Sequence, residues 1–131
     1  MLPQLDHFTV QATDRKAAAR LLAEILGVPS ADETGIGPFS AVYVNDGLTV
    51  DFDEAGGPIP VSHFCFRVSE PDFDAIVQRL RARGIGYRGL PHGPNDGRVN
   101  TGVGGRIVYW SEPGGHVWEA LTASYARQKA A

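Results

Sequence analysis

The chain has 131 residues, 43% of them hydrophobic and 21% charged, with a formal net charge of -3, which is the balance of an ordinary soluble globular protein and not of a disordered chain. That balance leaves no basic footprint for nucleic acid, no apolar run of about 18 residues for a membrane span, and in MLPQLDHFTV neither the basic nor the apolar region of a signal peptide. Its single cysteine, Cys65, excludes an intrachain disulfide and a cysteine-built zinc cluster, so a cytoplasmic protein is expected.

The first element is a strand over Leu5-Asp6-His7-Phe8-Thr9-Val10, alternating with period two. A helix comes next, with Ala18, Leu21, Leu22 and Ile25 at the spacing of one apolar face, Thr13 or Asp14 at its start and Gly27 at its end. A short strand is expected near 31–34, then strands over 39–44 and 48–53. The stretch 54–60, Glu-Ala-Gly-Gly-Pro-Ile-Pro, reads as a linker.

The pattern then repeats. Val61-Ser62-His63-Phe64-Cys65-Phe66 places His-Phe where the first strand has it. A second helix carries Phe73, Ile76, Val77 and Leu80 at the same spacing, with Ser69 and Asp72 resembling a capping box and Gly84 as its stop. A short strand near 87–90 and strands over 106–110 and 116–122 complete it. Between them, 89–105 holds six glycines and two prolines, a loop long enough to suggest a functional lid. The chain thus reads as an α+β protein of two βαβββ modules, 1–54 and 61–123, joined by a linker at 55–60 and ending in a tail at 124–131.

Alternation puts His7, Thr9 and Gln11 on one face of the first strand and Phe8 and Val10 on the other, under the helix. The same parity sets His63, Cys65 and Arg67 against Phe64 and Phe66. Aligning Gly47-Leu48-Thr49-Val50-Asp51 with Gly115-His116-Val117-Trp118-Glu119 makes Asp51 and Glu119 equivalent. Two imidazoles and two carboxylates aimed at one concave side are too costly to leave dry and unpaired. A divalent cation would satisfy them, and two His with one carboxylate suits non-haem Fe(II), with Mn, Ni or Zn accepting the same donors. Taken singly, a strand histidine is more often a core or surface residue; its recurrence in both modules, each with a carboxylate in register, favours the metal. His116, one pleat out of phase with Glu119, is expected to point away from the metal into solvent, and His92 to lie in the Gly/Pro loop as a possible mobile acid or base.

Asp6-His7-Phe8, Ser62-His63-Phe64 and the closing run Trp110-Ser111-Glu112-Pro113-Gly114-Gly115-His116-Val117-Trp118-Glu119 resemble the vicinal oxygen chelate superfamily. That superfamily spans glyoxalase I, fosfomycin-resistance proteins, bleomycin-binding proteins and extradiol dioxygenases. The resemblance implies half-barrels around a metal held by His7, His63 and Glu119, with Asp51 at a frequent fourth position where a glyoxalase I has the longer Glu. The opening residues, with Asn100-Thr101 and Gly104-Gly105-Arg106 through Tyr109, are similar to the subgroup typified by the chartreusin-pathway dioxygenase. This implies oxidative ring opening or rearrangement of an aromatic polyketide-like substrate in bacterial antibiotic biosynthesis. Tyr109, ten residues before Glu119, stands where extradiol dioxygenases of the superfamily carry a tyrosine beside the substrate oxygen. Thr9, Gln11, Cys65, Arg67, Arg98 and Asn100 are the candidate substrate contacts. In relatives of this length the sites commonly form across a homodimer, so His7 and Asp51 of one subunit are expected to join His63 and Glu119 of the other. The alternatives are a glyoxalase-type isomerase or lyase, and a non-catalytic drug-binding protein.

Overall fold

A computed structural model describes residues 1–127. The chain divides into two compact units, Met1–Pro60 and Val61–Ala131. The first contains β1 (His7–Ala12), α1 (Arg15–Leu26), β2 (Ser30–Ala31), β3 (Ser40–Asn45) and β4 (Leu48–Glu54). The second contains β5 (His63–Arg67), α2 (Glu70–Ala82), β6 (Tyr87–Arg88), β7 (Ile107–Ser111) and β8 (Val117–Leu121).

Both units build a four-stranded sheet in the same order, β1-β4-β3-β2 and β5-β8-β7-β6. The first strand of each lies parallel to the last, which is antiparallel to the strand before it. The repeat extends to single hydrogen bonds: the N–H of Thr49 donates to Asp6 O at 3.0 Å, and that of Val117 to Ser62 O at 2.9 Å. Each bond seats the residue before a strand histidine, and so fixes where that histidine enters its sheet.

Asp14 caps α1, its side chain accepting from the N–H of Ala17, and Gly27 closes the helix at φ 73°, a conformation that costs glycine nothing. The buried face of α1 is Ala19, Leu22, Ala23 and Ile25, while Ala18 and Leu21 are only half-buried. The expected stripe is therefore rotated by about one residue. A helix turns about 100° per residue, and Ala19 and Ala23 let its backbone approach the sheet face of Val10, Ala12, Val42, Val50 and Phe52. In α2, capped by Ser69 accepting from the N–H of Asp72, the expected residues Phe73, Ile76, Val77 and Leu80 are all buried. The core of the second unit is the more aromatic, with Trp118 stacked on Phe64 and Phe66 at centroid distances of 5.1 and 6.0 Å.

The expected strand at 31–34 shrinks to Ser30–Ala31 because side chains claim the next residues. Asp32 and Glu33 pair with Arg20 and Arg15, and Asp32 O accepts from Arg15 Nη1 at 2.8 Å and Ser40 Oγ at 2.6 Å. The strand at 87–90 stops at Arg88, and at Gly89 the chain runs so close to Asn100 that a Cβ would stand 2.8 Å from its backbone N. The loop after β6 is fastened to its own sheet. Buried Arg88 donates to Pro91 O, Asn95 Oδ1 and Ser111 Oγ, and the N–H of Gly97 donates to Tyr87 O at 2.9 Å. Among the described residues no helix is long and apolar enough to cross a membrane.

Candidate metal centre

Each unit brings one histidine and one carboxylate together on the face of its sheet away from the helix. In the first, Asp51 of β4 sits opposite Thr9 of β1 and Ala41 of β3, and His7 lies one pleat from Thr9 on the same side. In the second, Glu119 of β8 sits opposite Cys65 of β5 and Tyr109 of β7, with His63 one pleat from Cys65. The ten-residue interval between Tyr109 and Glu119 is the register of the β7–β8 hairpin.

His7 is exposed, and its Nδ1 lies 2.7 Å from Asp6 Oδ2. An ionised carboxylate can only accept, so Nδ1 carries the proton and the neutral ring keeps its lone pair on Nε2, the atom free to bind a metal. The hydrogen bond and charge of Asp6 raise the His7 pKa, with a smaller contribution from Asp51. A cavity of about 450 Å³ opens over this pair. His7, Thr9, Thr49, Ala41 and Asp51 line it along the sheet, and Ile36, Phe39 and Tyr43 supply apolar wall. The turn before Phe39 needs glycine, because Gly37 has φ 65° and a Cβ there would meet the Phe39 ring at 2.7 Å.

In the second pair only the carboxylate is enclosed, the His63 side chain being 46% exposed. Glu119 is fully buried, its Oε1 lies 2.8 Å from His63 Nε2, and its Oε2 accepts from the Tyr125 hydroxyl at 2.7 Å. The Tyr109 hydroxyl stands 3.3 Å from that of Tyr125, and its ring lies 5.8 Å from the His63 ring, centroid to centroid. Burial raises the pKa of both phenols, Glu119 adding to each, so both remain protonated at neutral pH. Cys65 is an exposed residue, yet desolvation of its thiol and the Glu119 carboxylate push its pKa up to about 12. It stays a thiol, not the reactive thiolate.

The donors fit a divalent metal. Oxygen and imidazole nitrogen are the set that Fe(II), Mn, Ni and Zn share. His63 Nε2 and Glu119 Oε1, 2.8 Å apart, set one nitrogen and one oxygen donor side by side, where a divalent ion could take both. In the first unit His7 and Asp51 line one cavity, and among the described residues no group of three or more His, Cys, Asp or Glu converges as a metal site.

The other predicted residues are spread more widely. Gln11 pairs with Asp53 and Arg67 with Leu121, one pleat beyond the carboxylates. His92, Arg98 and Asn100 line a different cavity of about 240 Å³, whose lining includes neither His63 nor Glu119. His116 corrects the expectation of solvent exposure: it is 2% exposed, and its Nδ1 accepts the N–H of Ser62 at 3.0 Å. It faces away from Glu119 and serves the backbone where β5 begins beside β8. Asp6 and Tyr125 escaped the sequence reading as functional residues. Asp6 could have been found from its place beside a strand histidine, whereas Tyr125 comes after the last strand with no periodicity to mark it.

The chain belongs to the glyoxalase/bleomycin resistance protein/dioxygenase superfamily, whose family model matches residues 4–120. Among solved structures it is similar to Oxidase ChaP-H1, at 41% identity and a TM-score of 0.86 over 96% of this chain and 100% of that one. Oxidase ChaP-H2 is similar at 41% identity and a TM-score of 0.87, over 96% and 98%. The fosfomycin resistance protein FosX from Mesorhizobium loti shares the fold, with a TM-score of 0.69 at 19% identity over 95% and 96%. Among curated proteins, Glutathione transferase FosA of Serratia marcescens is 27% identical over 100% of this chain and 89% of its own.

Proposed function

We propose that the protein is an Fe(II)-dependent dioxygenase that opens or rearranges a ring of an aromatic polyketide-like substrate, in the cytoplasm of a bacterium that makes an antibiotic. The observation that carries the reading is the repeated pair, an imidazole and a carboxylate on the helix-free face of each sheet. It is supported by the 41% identity to two proteins named oxidases. His63 and Glu119 would hold the ion with His7 and Asp51, the shorter Asp51 being the weakest donor. When bound, the ion supplies Lewis acidity toward vicinal oxygens of the substrate and one-electron chemistry toward dioxygen.

The chain's own residues do the rest. Asp6 keeps Nε2 of His7 available. Tyr109, protonated and low in dielectric, donates a hydrogen bond to a substrate oxygen that gains charge. Phe39, Ile36 and Tyr43 pack the aromatic body of the substrate, in the space that Ala41 leaves open. Thr9 and Gln11 are polar neighbours of that space.

We further propose that a complete site takes one pair from each of two subunits, because one pair is too few ligands for a tightly held ion. A homodimer with a twofold axis would then carry two identical sites. Mixing H7A and E119A subunits tests this. One site of the heterodimer would lose both ligands and the other keep all, so about one metal per mixed dimer is expected. No metal in a demonstrably mixed dimer means that each site belongs to one chain. The chemistry is tested by anaerobic Fe(II) titration with candidate catechols, monitored optically, and then by oxygen uptake. A charge-transfer band and uptake that both need Fe(II) are expected. Turnover of a hemithioacetal or a thiol acceptor without oxygen uptake would instead assign the isomerase or transferase branch, to which the likeness to a glutathione transferase points.

A further inference from the structure

Among the residues described after β8, Tyr125 lies over the second sheet. Tyr125 packs against Ile107, Tyr109 and Leu121, which form a buried apolar cluster on the helix-free face. Its hydroxyl lies 2.7 Å from Glu119 Oε2 and 3.3 Å from the Tyr109 hydroxyl. The two oxygens of Glu119 are therefore committed to different partners, Oε1 to His63 at 2.8 Å and Oε2 to Tyr125. A carboxylate with a strong donor on one oxygen has a fixed rotamer and only one oxygen turned toward its neighbour.

We propose that Tyr125 is a positioning residue for the candidate metal centre: by donating to Oε2 it limits Glu119 to a single ligating oxygen and keeps a coordination position open. This rests on the metal reading above. A carboxylate that takes both oxygens to an ion fills two positions, and a substrate that chelates through two oxygens needs those positions. The 3.3 Å contact also links Tyr125 to Tyr109. One hydroxyl pair thus sets both the ligand and the phenol beside it.

The test is Co(II) titration of the full-length wild type and of Y125F, read by visible absorption, whose intensity depends on coordination number. The Phe ring keeps the packing on Ile107 and Leu121, and circular dichroism confirms the fold. The expected result is unchanged stoichiometry, affinity lower by about 10- to 100-fold, the range for losing a group that orients a ligand, and an altered spectrum. Equal affinity with an identical spectrum in folded Y125F overturns the positioning role and leaves the metal centre standing. Failure of the wild type to bind Co(II) overturns the metal reading, and this inference with it.

Discussion

In the first unit the carboxylate stands half-exposed between Thr9 and Ala41 beneath a cavity of about 450 Å³; in the second, at the same place in the same topology, it is fully buried between Cys65 and Tyr109 and bonded by Tyr125. The backbones repeat but the residues beside the carboxylates do not. Ala41 and Tyr109 occupy equivalent register positions, one leaving room for a ligand and the other filling it with a phenol. The two halves of one repeated pattern thus differ in what surrounds the carboxylate, open space in the first and two phenol hydroxyls in the second.

The largest expected effect tests whether the two carboxylates are unequal. Metal content should be lost in H63A and E119A, while D51A should retain binding at reduced affinity, because the shorter, half-exposed Asp51 contributes least. Elemental analysis of the variants decides it, and full occupancy in H63A would remove the second unit's role.

Y109F should leave fold and metal content intact and lower turnover by roughly 10²- to 10⁴-fold, the range of a lost proton donor. Unchanged turnover would mean that the phenol merely fills space. The converse change, A41F, narrows the first unit's cavity. It should raise KM for the aromatic substrate about tenfold or more with little change in metal affinity. A KM equal to wild type would place the substrate elsewhere.

The smallest effect separates the units by acid. Asp32 and Glu33 are held below the usual carboxylate range, chiefly by their hydrogen bonds to Arg20 and Arg15. Because their folded pKa values are depressed, the stability they add is present above the unfolded values and is lost as pH falls through the folded ones. These side chains are solvent-facing, so the loss should be slight. Amide protection at the α1–β2 connection, taken relative to the intrinsic exchange rate at each pH, should fall below about pH 4. Protection there that does not change with pH would show that the ion pairs add nothing.

Much of this architecture was legible in the residues. Period-two and helical spacings around two His-Phe sequences predict two βαβββ modules, and the alignment of Asp51 with Glu119 predicts equivalent positions that the two registers share. These are local signals, carried by strand parity and by caps such as Asp14, Ser69 and Gly27. The Tyr109–Glu119 interval was visible as a number, but only strand pairing turns it into adjacency.

Tertiary structure decided the rest. His116 sits one residue before a strand and reads as a surface histidine, yet the N–H of Ser62, left outside the strand ladder, draws it into the interior. Nothing in the sequence marks Arg88, whose guanidinium is held by Pro91 O and Asn95 Oδ1 of the loop at 89–105. Tyr125 lies in a segment without pattern, and its place over Glu119 depends on where the chain turns after β8. Alternation and spacing record which face a residue takes within its own element, because backbone geometry sets that locally. Which distant donor meets which acceptor is set by packing, and a single sequence carries no periodic trace of it.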